Sequence, residues 1–331
     1  MLYTCSTGDQ LAHINFFVPI QEHLDLVEYK MRTQADGHNS DLGAALEHLL
    51  SSGGKRVRPA VALLTGNMLG ADPERLVILG AAIELLHTAT LVHDDLIDGA
   101  LLRRGIATLN AQWSPAATVL TGDFIFAQAA KLAGETNSIP VMRLFAETLA
   151  IIVNGELTQM FSSRGVASKE DYLKRIYAKT ASMFELATAA SAMLSPVPEK
   201  VVKQMRRFGY QIGMAFQIVD DVLDFTGEQT TIGKPVASDL RQGLITLPAL
   251  YYNVINPNDQ EMALLLEGHY YSDERMDRLV TAIRKSGAIE KSIEEARHYI
   301  ECSIETLEEQ PDTLEKQALV DLARYIVYRE F

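Results

Sequence analysis

The chain has 331 residues, of which 47% are hydrophobic and 22% charged, so it can form a globular protein with a sizeable core. Its net charge of −13 argues against a nucleic-acid partner. Its two cysteines exclude a disulfide framework and a cysteine-based zinc site, and we expect a reducing cytoplasm as the compartment. The N terminus lacks the pattern of a signal peptide, and no apolar run approaches the roughly 20 residues that span a bilayer.

Helical spacing of apolar residues dominates the chain, and no convincing period-two strand appears. The predicted helices cover 11–34, 42–50, 60–69, 73–98, 115–133, 138–161, 168–195 and 199–224, with shorter helices over 244–331. Prolines fall mostly at helix starts, where the missing N–H costs nothing. Loops are expected at 99–105 and 227–243. No linker divides the chain, so we predict an all-α, single-domain antiparallel bundle over 1–331.

Two aspartate triplets stand at predicted helix ends. Asp94, Asp95 and Asp98 precede Gly99, and Asp220, Asp221 and Asp224 repeat the same spacing. On a helix, residues i and i+4 share a face and i+1 lies about 100° round. The helix dipole disfavours negative charge at a C-terminal end. A single triplet is also compatible with a solvated acidic face, but two copies in apolar helices indicate a missing cation.

Magnesium is the cation that this donor set favours. It prefers oxygen ligands, and proteins hold it with one or two carboxylates and substrate phosphates. Aspartates without histidine or cysteine do not suit zinc or copper. If the two triplets share metal ions, they face each other across one core and hold a phosphorylated ligand.

Basic residues lie beside both triplets and can bind phosphate oxygens. They are Lys55, Arg56 and Arg58 before one helix, Arg103 and Arg104 after the first triplet, and Lys234 after the second. A solvated loop is the alternative for any one of these pairs. His87 lies seven residues before Asp94, on the same helix face, and is either a core histidine or part of the site. No phosphate-binding or dinucleotide-binding glycine motif is present.

Small residues lie below the first triplet. Ala89 and Thr90 come one turn before Asp94, and a facing helix carries Ala127, Ala129 and Ala130. Close helix packing explains them, and so does an apolar tunnel that gains about 5.4 Å of depth with each helix turn.

These motifs resemble the trans-isoprenyl diphosphate synthases, or polyprenyl synthetases, from Gly53 to about Tyr252. The matching segments, in order, are Gly53–Pro59, His87–Asp98 with Arg103–Gly105, Lys179–Thr180, Gln217–Asp224, and Gly233–Pro235 with Asp239–Leu240. The resemblance implies an isoprenoid synthase fold with a central cavity, a homodimer, and a prenyltransferase that condenses isopentenyl diphosphate with an allylic diphosphate.

The resemblance also implies roles for individual residues. All six aspartates would hold Mg²⁺, with three ions when substrate is bound. Arg103, Lys179 and Lys234 would hold the allylic diphosphate. Isopentenyl diphosphate would lie against Lys55, Arg58, His87 and Arg104. Thr180 and Gln217 would orient their dipoles towards the allylic cation.

Product length and the rival functions follow from the same motifs. Short-chain members of the family carry bulky residues where Ala89 and Thr90 stand, so a medium- or long-chain, octaprenyl-like product is expected. A farnesyl or geranylgeranyl diphosphate synthase remains the alternative. A terpene cyclase would replace the second triplet by a mixed motif, and a non-catalytic partner subunit would have lost acids or arginines. A helical scaffold protein would have no reason to keep two unfavourable helix ends.

Overall fold

The computed structural model describes residues 16–51, 53–103, 105–161, 168–227, 236–269 and 272–328. Helices dominate these ranges. In the first half they are α1 Gln21–Arg32, α2 Ser40–Ser51, α3 Val57–Met68, α4 Pro73–Ile97, α5 Leu109–Gln112, α6 Pro115–Glu135 and α7 Ile139–Phe161.

The second half continues as helices, which confirms the all-α prediction. They are α8 Lys169–Ile176, α9 Ser182–Met193, α10 Glu199–Thr226, α11 Ser238–Arg241, α12 Leu247–Ile255, α13 Gln260–Leu266, α14 Asp273–Lys285, α15 Ala288–Leu307 and α16 Leu314–Tyr328. Side chains cap several of these helices. The carboxylate of Asp72 accepts hydrogen bonds from the backbone N–H groups of Glu74 and Arg75, and Ser114 and Ser168 cap α6 and α8.

Three departures from the predicted elements concern local structure. Part of the loop expected at 99–105 forms an antiparallel hairpin, in which Leu102 pairs with Ala107 and Arg103 with Ile106. Strands of two residues are too short to show a period-two pattern. The helix expected over 168–195 is interrupted by a π-helical segment at Tyr177–Ala181. Within the predicted 227–243 loop, Ser238–Arg241 is helical, and 228–235 lies outside the described residues.

Helix α4 forms the centre of the bundle and packs against α1, α3, α6 and α9. It is the one helix in the described ranges that is long and apolar enough to cross a membrane, yet 78% of its apolar 18-residue window is buried by its neighbours. That degree of enclosure is typical of a core helix. The interior position of α4 therefore follows from its being apolar nearly all round.

Helices α9 and α10 approach so closely that their backbones almost touch. A Cβ atom on Gly213 would lie 2.5 Å from Cα of Ala181, and one on Gly209 would lie 2.4 Å from the carbonyl oxygen of Phe184. Glycine is thus required sterically at both positions. The close approach sets the π-helical segment directly against α10, near the second aspartate triplet.

We expect Gly213→Ala to lower the free energy of unfolding by about 1–3 kcal/mol, because a backbone atom cannot move aside for the new methyl group. Urea denaturation measures this change. The matched control is Gly134→Ala on α6, where a Cβ atom would meet no heavy atom within 4 Å. Equal effects of the two substitutions would contradict the close approach of α9 and α10.

Candidate active site

The first aspartate triplet lies at the end of α4, as predicted. Asp98 is the C-cap residue, its N–H donates to the carbonyl oxygen of Asp94 at 2.8 Å, and Gly99 takes a φ of +64°. The three carboxylates have different surroundings. The Asp98 residue is exposed, the Asp94 side chain is 18% exposed, and Asp95 is buried. The helix geometry therefore separates Asp95 from the other two.

Asp95 is paired with the hairpin. Nε of Arg103 donates to both Asp95 carboxylate oxygens, at 2.8 and 3.1 Å, and Nη2 lies 2.8 Å from Oδ1. A planar guanidinium suits such bidentate pairing. The contact holds the hairpin against the end of α4, and the charges of Asp95 and Arg103 compensate each other.

Asp94 faces a lysine from the π-helical segment. Nζ of Lys179 lies 3.7 Å from Asp94 and 3.0 Å from Glu156 on α7. Burial, with the carboxylates of Glu156 and Asp98 adding to it, raises the pKa of Asp94 to about 6. Burial acts to lower the pKa of Lys179, but Asp94 and Glu156 outweigh it and raise that pKa above its usual value. One cation thus lies between two carboxylates.

In the second triplet, as in the first, the middle carboxylate is the most buried. Asp221, its middle member, is 3% exposed and accepts hydrogen bonds from Tyr172 Oη and Gln217 Nε2, both at 2.8 Å. Burial raises the pKa of Asp221 to about 7, although both hydrogen bonds act to lower it. In both triplets, then, the middle carboxylate is buried and paired within the protein.

Asp224 and Asp220 are less enclosed than Asp221. Asp224 accepts hydrogen bonds from the N–H and the hydroxyl of Ser238, at 3.1 and 2.9 Å, and from the N–H of Asp239 at 3.2 Å. It therefore fastens the chain after the 228–235 segment to the end of α10. Asp220 is partly buried and lies on the other side of the triplet from Asp221.

A chain of hydrogen bonds connects the π-helical segment with the second triplet. Thr180 donates to Oε1 of Gln217 at 2.6 Å, and Gln217 donates in turn to Asp221. Lys179, the neighbour of Thr180, contacts Asp94 in the first triplet. The π-helical turn offsets adjacent side chains differently from an α-helical turn. These two neighbouring residues thus bring the two triplets into one site.

The structure describes three of the four predicted ligands of isopentenyl diphosphate. Lys55 is exposed, with Nζ 5.7 Å from the centroid of the Tyr325 ring, and Cζ of Arg58 lies 5.2 Å from that of Phe184. His87 is partly buried on α4. Arg104 and Lys234, together with Gly233 and Pro235, lie outside the described residues.

Sequence reasoning assigned no role to Glu156 or Tyr172, although both contact predicted site residues. Each is an isolated polar group on its own helix, and its partner is distant in the chain, so no spacing marks it. The ring of His93 faces α6, with Nε2 3.2 Å from the carbonyl oxygen of Val119.

The small residues below the first triplet are only partly where they were expected. Ala89 and Ala129 are fully buried, and Ala130 is partly buried. Ala127 is exposed, so its predicted place on an interior wall is wrong. Positions two apart on a helix differ by about 200°, which puts Ala127 on the face of α6 opposite Ala129.

The donor set fits a hard divalent cation that is completed by a ligand. Within the described ranges, no three His, Cys, Asp or Glu side chains come close enough to form a metal site alone. Asp98 is exposed and Asp94, Asp220 and Asp224 are partly buried, so these carboxylates are the more accessible members of the triplets. Magnesium needs no more protein ligands than these.

We expect Asp221→Asn to remove part of the pH dependence of stability. The folded protein keeps a proton on Asp221 that the unfolded chain, with the usual value of 3.8, has lost. The free energy of unfolding therefore falls as pH rises from about 4 to about 7, by about 1.4 kcal/mol for each unit of pKa difference.

Urea denaturation at a series of pH values, in buffer with a chelator, measures the effect. Between about pH 4 and 7, the free energy of unfolding of Asp221→Asn should rise relative to that of the wild type. Above about pH 7, the difference between the two should stay constant. A difference that does not vary with pH would contradict the raised pKa.

Comparison with known proteins agrees with the site. A sequence model described as polyprenyl synthetase matches residues 39–283. Heptaprenyl diphosphate synthase component 2 of Geobacillus stearothermophilus is 36% identical over 94% of this chain and 97% of its own length. Octaprenyl diphosphate synthase of Escherichia coli is 33% identical over 86% of this chain and 88% of its own length.

Solved structures give the same result. The polyprenyl synthase from Caulobacter crescentus, crystallised with calcium and isoprenyl diphosphate, matches with a TM-score of 0.89 and 31% identity over 100% of both chains. The heptaprenyl diphosphate synthase from Staphylococcus aureus matches with a TM-score of 0.89 and 33% identity over 96% of this chain and 99% of its own. The fold is thus that of the isoprenoid synthases, and the chain belongs to the polyprenyl synthetase family of prenyltransferases.

Proposed function

We propose that this prenyltransferase is Mg²⁺-dependent and condenses isopentenyl diphosphate with an allylic diphosphate to an all-trans polyprenyl diphosphate of medium or long chain. The observation that carries the proposal is the joining of the two aspartate triplets through Lys179 and Thr180. It supports a site that can hold one diphosphate from both sides.

Asp94, Asp98 and Asp220 would bind the metal ions directly, with three ions when substrate is present. The middle aspartates, Asp95 and Asp221, would complete the clusters together with Asp224. When bound, Mg²⁺ would offset the charge of the diphosphate and so make it a better leaving group. The calcium and isoprenyl diphosphate in the Caulobacter crescentus structure support the use of a divalent metal.

The side chains of the site have separable tasks in this reaction. Lys179, Arg103 and Lys234 would hold the allylic diphosphate, and Lys55, Arg58, His87 and Arg104 would hold isopentenyl diphosphate. The hydroxyl proton of Thr180 is committed to Gln217, so the lone pairs of its oxygen remain for the allylic cation. The allylic C–O bond breaks to give that cation and free diphosphate. The isopentenyl double bond attacks the cation, and the proton that is then lost goes to the departing diphosphate.

The test is incubation with farnesyl diphosphate, isopentenyl diphosphate and Mg²⁺. We expect polyprenyl products from the wild type. Turnover should fall by about 100-fold or more in Asp94→Ala and Asp220→Ala, because each removes a carboxylate that would hold the metal ions at the diphosphate leaving group. Circular dichroism should show unchanged helicity. Asp312→Ala, which removes a carboxylate 96% exposed, is the matched control. Full activity of either site variant would disprove the metal assignment.

A medium or long product is proposed from the residues below the first triplet. Ala89 is fully buried, and Thr90 turns its hydroxyl to the carbonyl oxygen of His87 at 2.7 Å. Relatives named heptaprenyl and octaprenyl synthases are 33–36% identical, whereas the geranylgeranyl synthase structure from Pyrococcus horikoshii is 28% identical. A short-chain synthase is the competing function.

We expect Ala89→Phe to shorten the product by at least one isoprene unit, because the ring would occupy space beside the growing chain. Chromatography of the dephosphorylated products measures this, with Ala89→Leu as a smaller step if Phe impairs folding. Ala263→Phe on the exposed surface of α13 is the control. An unchanged product distribution in both Ala89 variants would show that the chain does not pass this position.

We also propose a homodimer. Apolar side chains on α6 and α7 are exposed, among them Leu120 at 67%, Leu157 at 45% and Phe161 at 81%. Exposed apolar side chains can mark a surface that binds another protein. The name "component 2" of the Geobacillus stearothermophilus relative indicates a second subunit for that protein. Light scattering of the purified chain distinguishes a homodimer from a chain that needs a different second subunit. A monomeric mass would contradict the homodimer.

Residues 1–331 are proposed to form one domain, in a cytoplasmic enzyme. The structural neighbour from Caulobacter crescentus aligns over the whole chain, which supports one unit. Limited proteolysis tests the first statement, because a stable fragment would divide the chain. Cell fractionation tests the second.

A further inference from the structure

Arg56 has an unusual backbone conformation between two predicted substrate ligands, Lys55 and Arg58. Its φ of 48° and ψ of 33° lie in the left-handed region, which residues with a side chain seldom adopt. Such strain persists where the surroundings hold it, and it often occurs at functional sites. Arg56 is also the N-cap residue of α3, so it sets the direction in which the chain enters that helix.

The Arg56 side chain is held by three separate elements. Nη1 donates to Glu84 on α4 at 3.0 Å, Nε donates to Glu28 on α1 at 3.0 Å, and Nη2 donates to the carbonyl oxygen of Leu50 on α2 at 3.3 Å. Glu84 is only 5% exposed. A buried carboxylate requires a paired cation, and Arg56 supplies it. The three bonds use the guanidinium in directions that a lysine ammonium could not match.

The ion pair between Arg56 and Glu84 fixes the segment Lys55–Arg58 to α4, the helix that carries the first triplet. Glu84 comes three residues before His87, so both project from neighbouring positions of α4. With Arg56 turned inwards to α4, its two basic neighbours are directed elsewhere. Lys55 lies near Tyr325 on α16, and Arg58 lies over Phe184 on α9. The guanidinium of Arg56 is therefore occupied by protein partners, while the cationic groups of its two neighbours face aromatic rings on other helices.

We propose that Arg56 is a positioning residue for isopentenyl diphosphate. Through Glu84 and Glu28 it sets the orientation of Lys55 and Arg58 relative to α4, without touching the substrate itself. This inference rests on the proposed function, since it concerns the diphosphate that those two residues are expected to bind.

The alternative is that Arg56 only stabilises the fold. Single substitutions do not distinguish this role from the positioning of Lys55 and Arg58. Removing Arg56 alone would leave the Glu84 carboxylate buried without a cation, which destabilises a protein strongly. The double variant Arg56→Met/Glu84→Leu removes both charges and keeps apolar volume, so folding can be retained. Its matched control is Arg275→Met/Glu261→Leu, which removes an ion pair of 3.0 Å between α13 and α14.

The measurements are KM for isopentenyl diphosphate, KM for the allylic substrate, kcat and the thermal midpoint. For Arg56→Met/Glu84→Leu we expect KM for isopentenyl diphosphate to rise about tenfold, as is typical when a supporting residue behind a ligand is lost. KM for the allylic substrate and the thermal midpoint should stay near their wild-type values. The control variant should change neither KM nor the thermal midpoint. A folded double variant with the wild-type KM for isopentenyl diphosphate overturns the proposal.

Two further measurements keep the result decisive. If the double variant does not fold, Arg56→Lys, which retains a cation beside Glu84, should still raise KM for isopentenyl diphosphate, and a wild-type value there overturns the proposal. Calorimetry of isopentenyl diphosphate binding separates this inference from the proposed function. A wild-type chain that neither turns over nor binds this substrate refutes the function, whereas equal binding by wild type and the variants refutes only the role of Arg56.

Discussion

Negative charge at the C-terminal ends of two apolar helices is the constraint on which the site depends. The helix dipole opposes carboxylates at these positions, and burial opposes them further, as the raised pKa values of Asp94 and Asp221 show. The protein offsets this with Lys179 at Asp94, Arg103 at Asp95, and Tyr172 and Gln217 at Asp221.

The spacing of the triplets divides their members between two tasks. Residue i+1 turns into the protein in both triplets, whereas i and i+4 are less enclosed, and Asp224 also holds Ser238 and Asp239. Asp95 and Asp221 use that position to fasten the hairpin and α8 to the ends of α4 and α10. The same motif thus supplies both the charge of the site and the contacts that keep that charge in place.

Backbone geometry places the remaining functional groups. Glycines let α10 approach α9 closely, and the π-helical turn before α9 directs Lys179 to one triplet and Thr180 towards the other. On a regular α-helix these two neighbours would project about 100° apart. At the start of α3, Arg56 takes the left-handed conformation and its side chain pairs with Glu84 on α4.

The sequence by itself determined the helical class, the starts of α4, α6 and α8, and the face of each aspartate, because these follow from local capping and a fixed period of 3.6 residues. Its motifs also indicated the family. Tertiary packing alone decided that Glu156 meets Lys179, that Tyr172 meets Asp221 and that Glu84 meets Arg56, since each pair joins positions far apart in the chain. It also decided the π-helical turn and the hairpin, which depend on neighbouring helices that no local pattern specifies.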